Sequence, residues 1–365
     1  MSAANFFDLF SMDPSHGSFG QGVLAMFRKN CWYVAAWDHE VTQTPLARTL
    51  LCEPVVLFRK QNGEAVALED RCCHRALPLS MGVVIGDHLQ CGYHGLEFDS
   101  LGQCVKIPGQ DKIPPNAKVK SYPLVERWKW LWIWMGDPEL ADDSLIPNWW
   151  WFDHPEWEIV KGKYLKLACN YQLITDNLLD LSHLAYVHLN TLGTSDISEF
   201  PIKTDRESDA VRMTRWILDR PAPPMFQSLG DFDGAVDRWQ IVETFSPCLT
   251  QIRAGACDAG SCNPDLGEPD IGMHIRSLNA PTPETENSTF YFFGHARDFA
   301  LGDKDVSGNL FKMVSQTFDE DVVILEAQQK RITAHPDKEF IDINVDAPGI
   351  AARRMLARDI EAENK

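Results

Sequence analysis

The chain has 365 residues, and its 44% apolar composition is enough to build a large core in two or three domains. A formal net charge of −18 makes it a poor non-specific ligand for nucleic acid or for an anionic membrane surface. Because the sequence contains no apolar run long enough to span a bilayer, neither nucleic acid nor a membrane is an expected partner.

The first 26 residues predict an N-terminal extension or a short amphipathic arm. They lack the basic start and the long apolar run of a signal peptide. The chain has ten cysteines, and without an export signal these indicate free thiols or metal ligands rather than disulfides. The expected location is the cytoplasm.

Residues 27–150 predict an all-β domain. Strand-like runs such as "EPVVLFRK", "EAVALED" and "HLQCGYHG" are separated by Gly, Asn and Asp, which is typical of short strands joined by turns. In "WKWLWIW", four tryptophans occupy alternate positions, with Leu131 and Ile133 between the last three. We expect this strand to be buried on both sides over most of its length.

Residues 151–365 predict a second domain that contains both helices and strands. The segment "CNYQLITDNLLDLSHLAYVHLNTLG" has leucines at helical spacing and a glycine that suits a helix end. Strand-like runs such as "RWQIVETF" and "TFYFFGHA" follow, and then two helical segments, "VSQTFDEDVVILEAQQKRI" and "APGIAARRMLARDIEAEN". This order predicts the α+β fold class.

Two cysteines and two histidines lie close together in "CCHRALPLSMGVVIGDHLQCGYHG", residues 72–95. Cys72-x-His74 and Cys91-x2-His94 each supply one thiol and one imidazole. One interpretation is a tetrahedral zinc site of structural type. The other is a two-iron, two-sulfur cluster of Rieske type, in which the cysteines hold one iron and the histidines hold the other. The donor set alone leaves both interpretations open.

Four polar side chains lie on the otherwise apolar helix predicted near residues 170–190: Asn177, Asp180, His183 and His188. Buried polar groups need partners, so four of them on such a helix suggest a site. Five residues on a regular helix separate the two histidines by roughly 140°. We therefore expect a break in the helix, such as a π-bulge, that lets both imidazoles bind one ion.

A third ligand is expected from the late helix, in "TFDEDVVILEAQQ". Relative to the apolar stripe of that helix, Asp321 lies roughly 65° from the centre and Glu326 roughly 75° on the other side. Asp319 lies further round, and Glu320 is expected to point into solvent. The pattern favours Asp321 narrowly over Glu326. Two imidazoles and one carboxylate leave open positions on Fe(II) for dioxygen.

The sequence resembles the oxygenase components of Rieske non-haem iron aromatic oxygenases, of the vanillate O-demethylase and dicamba monooxygenase type. The likeness rests on the spacing of Cys72, His74, Cys91 and His94, on the "CGYHG" wording, and on "NLLDLSHLAYVH", which is similar to an N-x2-D-x2-H-x4-H motif. The segments "NCWYVAAW" and "EDVVILEA" are also similar to that branch. The resemblance implies an N-terminal Rieske domain followed by a helix-grip catalytic domain, an antiparallel sheet with flanking helices.

The resemblance also implies roles for individual residues. The four donors of residues 72–95 would bind a [2Fe-2S] cluster, and His183, His188 and Asp321 would bind a mononuclear Fe(II). Asp180 would bridge a ligand histidine to a cluster histidine of a neighbouring subunit in a ring of three, and Asn177 would lie near the iron. Electrons would come ultimately from NAD(P)H through a separate reductase or ferredoxin.

The implied reaction uses dioxygen to hydroxylate or demethylate a small aromatic substrate, with O-demethylation favoured over N-dealkylation. An iron–sulfur electron-transfer or sensor protein and a zinc-binding structural protein are the alternatives from other classes. Strand residues between 239 and 295 and the start of the late helix are expected to line the substrate pocket; the candidates by position are Asn279, Phe245, His295 and Met313.

Basic residues gather in the first domain of this acidic chain. They would suit an acidic ferredoxin-type partner, or they are scattered surface charges. The residues are Arg71, Arg75, Lys106, Lys112, Lys118, Lys120, Arg127 and Lys129.

Overall fold

The computed structural model describes residues 27–188, 192–193, 197–230, 232 and 234–365. The predicted N-terminal extension, residues 1–26, lies outside the described residues. Within the described part of the chain, no helix is both long enough and apolar enough to cross a bilayer.

The first part of the chain is built from short strands joined by turns. They are β1 (Trp32–Trp37), β2 (Leu46–Leu50), β3 (Glu53–Arg59), β4 (Ala65–Glu69), β5 (Val83–Ile85), β6 (His88–Gln90), β7 (Glu97–Phe98), β8 (Cys104–Lys106), β9 (Ser121–Tyr122), β10 (Leu124–Arg127) and β11 (Trp130–Trp134). Antiparallel pairing assembles them into three small sheets, in the orders β1-β11-β10, β2-β3-β4-β9 and β5-β6-β7-β8.

The tryptophan-rich strand is buried on both sides, as the sequence predicts. Every residue of β11 is buried, and the strand lies between β1 and β10. Trp128 does not belong to the strand, because it and Lys129 form the tight turn between β10 and β11 with positive φ of 58° and 64°. This two-residue turn gives the hairpin the twist that its flanking strands require.

The second part of the chain forms one large antiparallel sheet with helices packed on it. Its strands are β12 (Glu158–Val160), β13 (Tyr164–Leu167), β14 (Ile202–Arg206), β15 (Ala210–Pro221), β16 (Ala235–Phe245), β17 (Leu249–Asp258), β18 (Met273–Thr285) and β19 (Ser288–Arg297). Their order is β12-β19-β18-β17-β16-β15-β14, and β13 also pairs with β19. The helices are α1 (Tyr171–Leu179), α2 (Leu184–Val187), α3 (Pro224–Leu229), α4 (Lys304–Ala334) and α5 (Ala347–Glu363).

The predicted α+β class, with small all-β sheets before an antiparallel sheet and its flanking helices, is confirmed. A shared core joins the two parts, because the buried side chains of β1 and β11 pack in one cluster with Leu278, Phe292 and Leu356. Arg28 forms salt bridges with Asp359 and Glu363, which ties the start of the described chain to α5. The boundary near residue 150 stays a prediction.

One cysteine pair departs from the expectation of free thiols. Cys257 at the end of β17 and Cys262 in the following loop form a disulfide. The sequence contains no pattern that pairs them, and the loop between β17 and β18 brings them together. The other eight cysteines are free.

Candidate functional site

Two loops of matching shape carry the first group of donors. In the loop from Cys72 to Leu77, the Cys72 amide donates to the Leu77 carbonyl at 2.9 Å and the Ala76 amide donates to the Cys72 carbonyl at 3.0 Å. The loop 91–96 repeats both bonds at 2.8 Å and 3.1 Å. Ala76 and the equivalent Gly95 have positive φ, 57° and 71°, which closes each turn. Each loop is thus shaped by its own backbone hydrogen bonds, and we call the two loops, 72–77 and 91–96, the cradles.

Burial separates the thiols of these loops from the imidazoles. Cys72 and Cys91 are each 2% exposed, whereas His74 and His94 are exposed. The two imidazole rings lie with their centroids 4.5 Å apart. The cysteines therefore lie at the base of the loops, and the histidines lie at the surface where an electron donor or acceptor can approach.

The spacing of these donors decides between zinc and a two-iron cluster. A tetrahedral zinc ion would bring all four donor atoms within about 4 Å of one another. Among the described residues, no three of these four place their donor atoms within 4.8 Å of one another. Two separate pairs, one of thiols and one of imidazoles, fit two irons bridged by sulfide.

The protonation of the buried thiols depends on whether a cation is present. Burial, together with the adjacent Cys91, raises the pKa of the Cys72 thiol to about 11. Thiols at this depth stay protonated unless a metal replaces the protons, because only the thiolate is a strong ligand. The pair is therefore suited to iron and is poorly suited to remain as two free thiolates.

The second group of donors lies where α1 ends. Asp180 leaves the helical conformation, with φ −105° and ψ 91°, and its carboxylate accepts from the Ser182 amide at 2.8 Å. A 3₁₀ turn, Leu181–His183, follows, and α2 then ends immediately before His188. The sequence predicted a break between the two histidines, such as a π-bulge. The helix does end between them, at Val187, without a π-bulge. A further break lies at Asp180, because its side chain caps a new turn at that point.

The three predicted ligands meet at one point. Nε2 of His188 lies 3.0 Å from Oδ1 of Asp321, and Nε2 of His183 lies 3.6 Å from the same oxygen. The donor atoms of all three residues lie within 4.8 Å of one another. A set of two imidazoles and one carboxylate is the ligand set of non-haem Fe(II) sites that keep open positions. The residues therefore fit a mononuclear iron.

The other nitrogen of each imidazole is held by the protein. Nδ1 of His183 donates to the Asp180 carbonyl, and Nδ1 of His188 donates to Oε2 of Glu320 at 2.7 Å. Each bond leaves Nε2 as the nitrogen with the lone pair and fixes the orientation of the ring. Both histidines are thus presented to a metal in the required tautomer.

The contact between Glu320 and His188 corrects the expectation that Glu320 points into solvent. The carboxylate is only 30% exposed. The apolar stripe used for the prediction reports which side of α4 faces the sheet, but the helix is also covered by the end of α2. Glu326 lies elsewhere and accepts from the Ala168 amide at 2.9 Å, while Asp319 is 60% exposed.

Burial and the neighbouring carboxylates shift the pKa values of the two histidines in opposite directions. Burial lowers the pKa of His183, although the neighbouring Asp321 carboxylate opposes this. Burial also disfavours the charged form of His188, but the Asp321 and Glu320 carboxylates outweigh it and raise the pKa. A metal cation at this point would replace the proton that the two carboxylates otherwise hold on His188.

Asn177 and Asp180 occupy the edge of the same site. The Asn177 side-chain amide donates to Oδ1 of Asp321 at 3.1 Å and lies 3.5 Å from Nε2 of His183. Asp180 contacts His183 through its main-chain carbonyl, and its carboxylate uses Oδ1 for Ser182. Among the described residues, Oδ2 of Asp180 has no hydrogen-bond partner.

A cavity opens beside the three ligands. Its wall is mostly apolar and comes from the end of α1, α2, α3, α4 and strands β15 to β17. The apolar residues include Leu178, Leu181, Leu184, Ile217, Met225 and Phe226. A mostly apolar lining of this kind suits a small organic molecule with an apolar body.

The four predicted substrate contacts lie outside this wall. Asn279 is fully buried within the sheet, where it accepts from the Tyr291 hydroxyl at 2.7 Å. His295 bonds Ser277 at 3.1 Å and packs behind Phe318. Phe245 packs against the core shared by the two parts of the chain.

Met313, the fourth candidate, lies 3.7 Å from the Ser228 hydroxyl at the junction of α3 and α4. Of the elements predicted to form the pocket, strands β16 and β17 and helix α4 line it, together with β15, which was not predicted. No described residue of β18 or β19 belongs to the wall, and the candidates Asn279 and His295 lie on those two strands.

Arg238 and Gln240 line the cavity and were not among the candidates. They lie two residues apart in "RWQIVETF", the run that forms most of β16, so both side chains point to one face of the sheet. Alternation of two long polar residues on a strand that is otherwise buried is the signal that could have identified them.

Sequence comparison places the two sites in known families. The Rieske [2Fe-2S] domain family matches residues 31–123, and the family described as vanillate O-demethylase oxygenase C-terminal domain matches residues 167–362. The chain is 41% identical to the iron–sulfur subunit of a toluene-4-sulfonate monooxygenase system from Comamonas testosteroni, over 93% of this chain and 99% of that protein. It is 38% identical to a vanillate O-demethylase oxygenase subunit from a Pseudomonas species, over 93% and 97%.

The fold is similar to a solved relative. A crystal structure of dicamba monooxygenase bound to dicamba superposes with a TM-score of 0.86 at 33% identity, covering 93% of this chain and 99% of that chain. The chain therefore belongs to the family of Rieske non-haem iron oxygenase components. The expectation drawn from the sequence resemblance is confirmed, as are the two kinds of iron centre that this family carries.

Proposed function

We propose, from this family membership, that the chain is the terminal oxygenase component of a multicomponent monooxygenase that oxidatively demethylates or hydroxylates a small aromatic compound. The observation that carries the proposal is the presence, in one chain, of the two cradles and of the ligand set at the cavity. An electron-transfer or sensor protein would have no use for the second site or for the cavity beside it. O-demethylation is favoured because relatives named for it match almost the whole chain.

The proposed ligands are those predicted from the sequence. Cys72, His74, Cys91 and His94 would hold the [2Fe-2S] cluster. The mononuclear Fe(II) would be held by a set that we name the iron triad: His183, His188 and Asp321. When bound, these groups supply one-electron relay and activation of dioxygen.

The protein's own residues prepare this chemistry. The Asp180 carbonyl and the Glu320 carboxylate orient the two imidazoles, and hydrogen bonds of this kind raise the basicity of a metal ligand. Asn177 holds Oδ1 of Asp321 by its side-chain amide, which limits how the carboxylate can turn. The apolar wall excludes water from the substrate carbon that faces the triad.

A ring of three subunits is part of the proposal. In such a ring, Asp180 would accept through Oδ2 from a cluster histidine of the neighbouring subunit, which would join the two centres by a short hydrogen-bonded path. Asp180→Asn should leave both metals bound and slow single-turnover reoxidation of a chemically reduced cluster, roughly 10–100-fold as for other groups behind metal ligands. Reoxidation at the wild-type rate would contradict the bridging role.

The electron donor is proposed to be a separate reductase or ferredoxin that draws on NAD(P)H, and the cytoplasm is the proposed location. Exposed side chains that support such docking are Arg71, Arg75 and Lys118, and the first two flank the proposed ligand His74 in the sequence. Lys120 instead forms a salt bridge with Glu53 at 2.9 Å. The predicted basic surface therefore carries less uncompensated positive charge than its number of basic residues suggests.

The function is tested by metal analysis and turnover. The purified protein should be red-brown and contain cluster iron, acid-labile sulfide and mononuclear iron. With a generic reductase it should release formaldehyde from a panel of methoxyarenes. His94→Ala should abolish the cluster absorbance, and His88→Ala, at a partly exposed histidine of β6, should retain it. A colourless protein with stoichiometric zinc would overturn the proposal.

A further inference from the structure

A buried arginine lies behind the turn that carries Asp180 and His183. Arg215 is in the middle of β15 and is 1% exposed. Its neighbours on the same face of the strand are Met213 and Ile217, which are both fully buried. An apolar side chain would fill this place without electrostatic cost, whereas a buried guanidinium loses its hydration. Packing alone therefore does not explain a charge at this position.

The hydrogen bonds of Arg215 use only part of its donors. Nη2 donates to the Ser182 hydroxyl at 2.8 Å. Nε and Nη1 are inaccessible to solvent and have no hydrogen-bond partner among the described residues. A guanidinium carries five N–H groups and stays protonated at physiological pH. Arg215 is thus a buried cation that is hydrogen-bonded to a neutral hydroxyl.

Asp180 supplies the negative charge that acts on Arg215. Burial lowers the pKa of Arg215, and the Asp180 carboxylate opposes this shift. Two opposite charges attract each other more strongly in a poorly hydrated interior than in water, so this interaction does not require direct contact. The two side chains are linked through Ser182 instead of by a hydrogen bond of their own.

Ser182 connects the cation to the carboxylate. Its hydroxyl accepts from Arg215, and its amide donates to Oδ1 of Asp180 at 2.8 Å. Because Ser182 is fixed to β15, its amide keeps Oδ1 occupied, and Oδ2 is the oxygen left for another donor. The Asp180 carbonyl that accepts from His183 belongs to the main chain. Arg215 is therefore placed to act on the carboxylate and not on the iron ligand.

Arg215 does not border the substrate cavity. Its strand contributes Ile217 to the wall, and Gln240, directly opposite Arg215 in the sheet, also belongs to the wall. Arg215 lies outside that set of residues. A substitution at Arg215 thus removes no contact with a substrate in the cavity.

We infer that Arg215 is a positioning residue for electron transfer between the two metal centres: with Ser182, it holds the Asp180 carboxylate so that Oδ2 faces the cluster histidine of the neighbouring subunit. A carboxylate that turns about its Cβ–Cγ bond presents this oxygen for only part of the time, which interrupts the hydrogen-bonded path. The inference rests on the proposed function, because it needs the proposed bridge through Asp180. It adds a residue that lies 33 positions after Ser182, on a strand outside the segment that carries the histidine ligands.

The first test is single-turnover reoxidation of the dithionite-reduced holoprotein, with dioxygen and the methoxyarene that releases most formaldehyde. Arg215→Met replaces the guanidinium by an apolar side chain that suits the neighbouring core. Reoxidation should slow roughly tenfold, the lower end of the range for groups behind metal ligands. Cluster absorbance and iron content should stay at the wild-type level. Fe(II) affinity should change less than about threefold, because the main-chain partner of His183 is retained.

A spectroscopic test does not depend on turnover. It uses reduced protein that retains the cluster but lacks the mononuclear iron. Electron–nuclear double resonance detects the exchangeable proton on a cluster histidine, and the coupling of that proton depends on the acceptor that it faces. Arg215→Met should change this coupling in the same direction as Asp180→Asn and to a smaller extent. An unchanged coupling in Arg215→Met would overturn the inference.

A double-mutant cycle separates a role in the path from a role in folding. In Asp180→Asn the carboxylate on which Arg215 acts is gone, so adding Arg215→Met should slow reoxidation by less than about twofold more. An arginine that only supports the fold would act independently, and the two factors would multiply. Arg215→Lys should keep most of the wild-type rate, because it retains the buried charge.

Arg212→Met is the matched control on the same strand. Three residues separate Arg212 from Arg215, so their side chains lie on opposite faces of β15. Arg212 pairs with Glu243, and Glu243 keeps Arg253 at 3.0 Å when Arg212 is removed. Arg212→Met should therefore reoxidise at the wild-type rate.

Three kinetic outcomes would overturn the inference: an equal fall in Fe(II) affinity and in reoxidation rate, factors that multiply in the cycle, or a rate in Arg215→Lys as low as in Arg215→Met. If Arg215→Met does not fold, Ser182→Ala removes the connection and leaves the cation in place. It should slow reoxidation a few-fold in the wild type and not at all in Asp180→Asn. An equal slowing in both backgrounds would also overturn the inference.

The inference and the proposed bridge can fail separately. A wild-type rate in Asp180→Asn would refute the bridge. A slow Asp180→Asn beside a wild-type rate in Arg215→Met would refute the inference and leave the bridge in place.

Discussion

The two candidate metal sites use similar side chains but are assembled in different ways. The cluster cradles lie within residues 72–96, and their own backbone hydrogen bonds shape them. The iron triad joins His188, directly after α2, to Asp321, which lies 133 positions later in α4, and it depends on how that helix packs. A site formed within one short segment can therefore be predicted from residue spacing. In a site formed by distant elements, only the residues that lie on regular elements can be predicted from the sequence.

The largest effect is expected from removing the distant ligand. Asp321→Ala should abolish mononuclear iron binding and turnover while the cluster absorbance stays at the wild-type level, because two imidazoles alone hold Fe(II) weakly. Asp319→Ala removes an exposed carboxylate two residues away and should change neither. Iron and sulfide analysis of both variants makes the measurement. Joint loss of the two centres from Asp321→Ala would show that the sites are not independent.

A smaller effect is expected behind the triad. Glu320→Gln keeps the shape of the side chain but replaces the carboxylate oxygen that accepts from His188 by a weaker acceptor. Iron affinity should fall about 10–100-fold, which is typical of such partners, with the cluster unchanged. Titration with Fe(II) of protein that retains the cluster but lacks the mononuclear iron measures it, and Asp319→Asn is the control. An unchanged affinity would restore the sequence prediction that Glu320 is a solvated side chain.

The sequence identifies those features that depend on few neighbours. Cys72, His74, Cys91 and His94 could be selected from spacing, and Asp321 could be selected from its angle on a helix. Glu320 could not, because its role depends on the end of α2 folding back over α4. Arg238 was passed over for Asn279 and His295 for a related reason. Arg238, Asn279 and His295 all lie on strands of one sheet. Only the packing of the helices decides which part of that sheet borders the cavity.

His295 was predicted to contact the substrate but is buried outside the cavity wall, and its titration tests this placement. Burial lowers its pKa to about 3, so the imidazole stays neutral in the folded protein, whereas the unfolded chain binds a proton near the ordinary value of 6.5. Stability is therefore lost as pH falls from about 6.5 towards 3, by about 1.2 kcal/mol at pH 5.5 relative to neutral pH. Urea midpoints should show this loss in the wild type.

His295→Gln should reduce the acid dependence of the urea midpoints, because glutamine does not titrate. The variant should also retain substrate binding, since His295 lies behind Phe318 and outside the cavity wall. An unchanged acid dependence would mean that other groups dominate it, and lost substrate binding would return His295 to the substrate pocket.

The smallest effect is expected at the surface near the cluster, where two lysines that look alike in the sequence differ in the structure. Lys118 is exposed, while Lys120 pairs with Glu53 and lies 4.4 Å from the ring centroid of Tyr122. Lys118→Glu should slow reduction by a ferredoxin-type donor a few-fold at low salt, chiefly through the association rate. Lys120→Glu should slow it less, since the charge that it removes is already partly balanced.

Salt and a small reductant separate docking from damage to the cluster. The difference between the two variants should shrink at physiological ionic strength, where screening limits attraction to about 8 Å. Dithionite needs no docking surface and should reduce both variants at the wild-type rate. Lys203→Glu, an exposed charge reversal on β14 in the second part of the chain, controls for net charge. If all three variants slow the ferredoxin reaction equally, the donor responds to total charge, and the basic residues near the cluster are scattered surface charges.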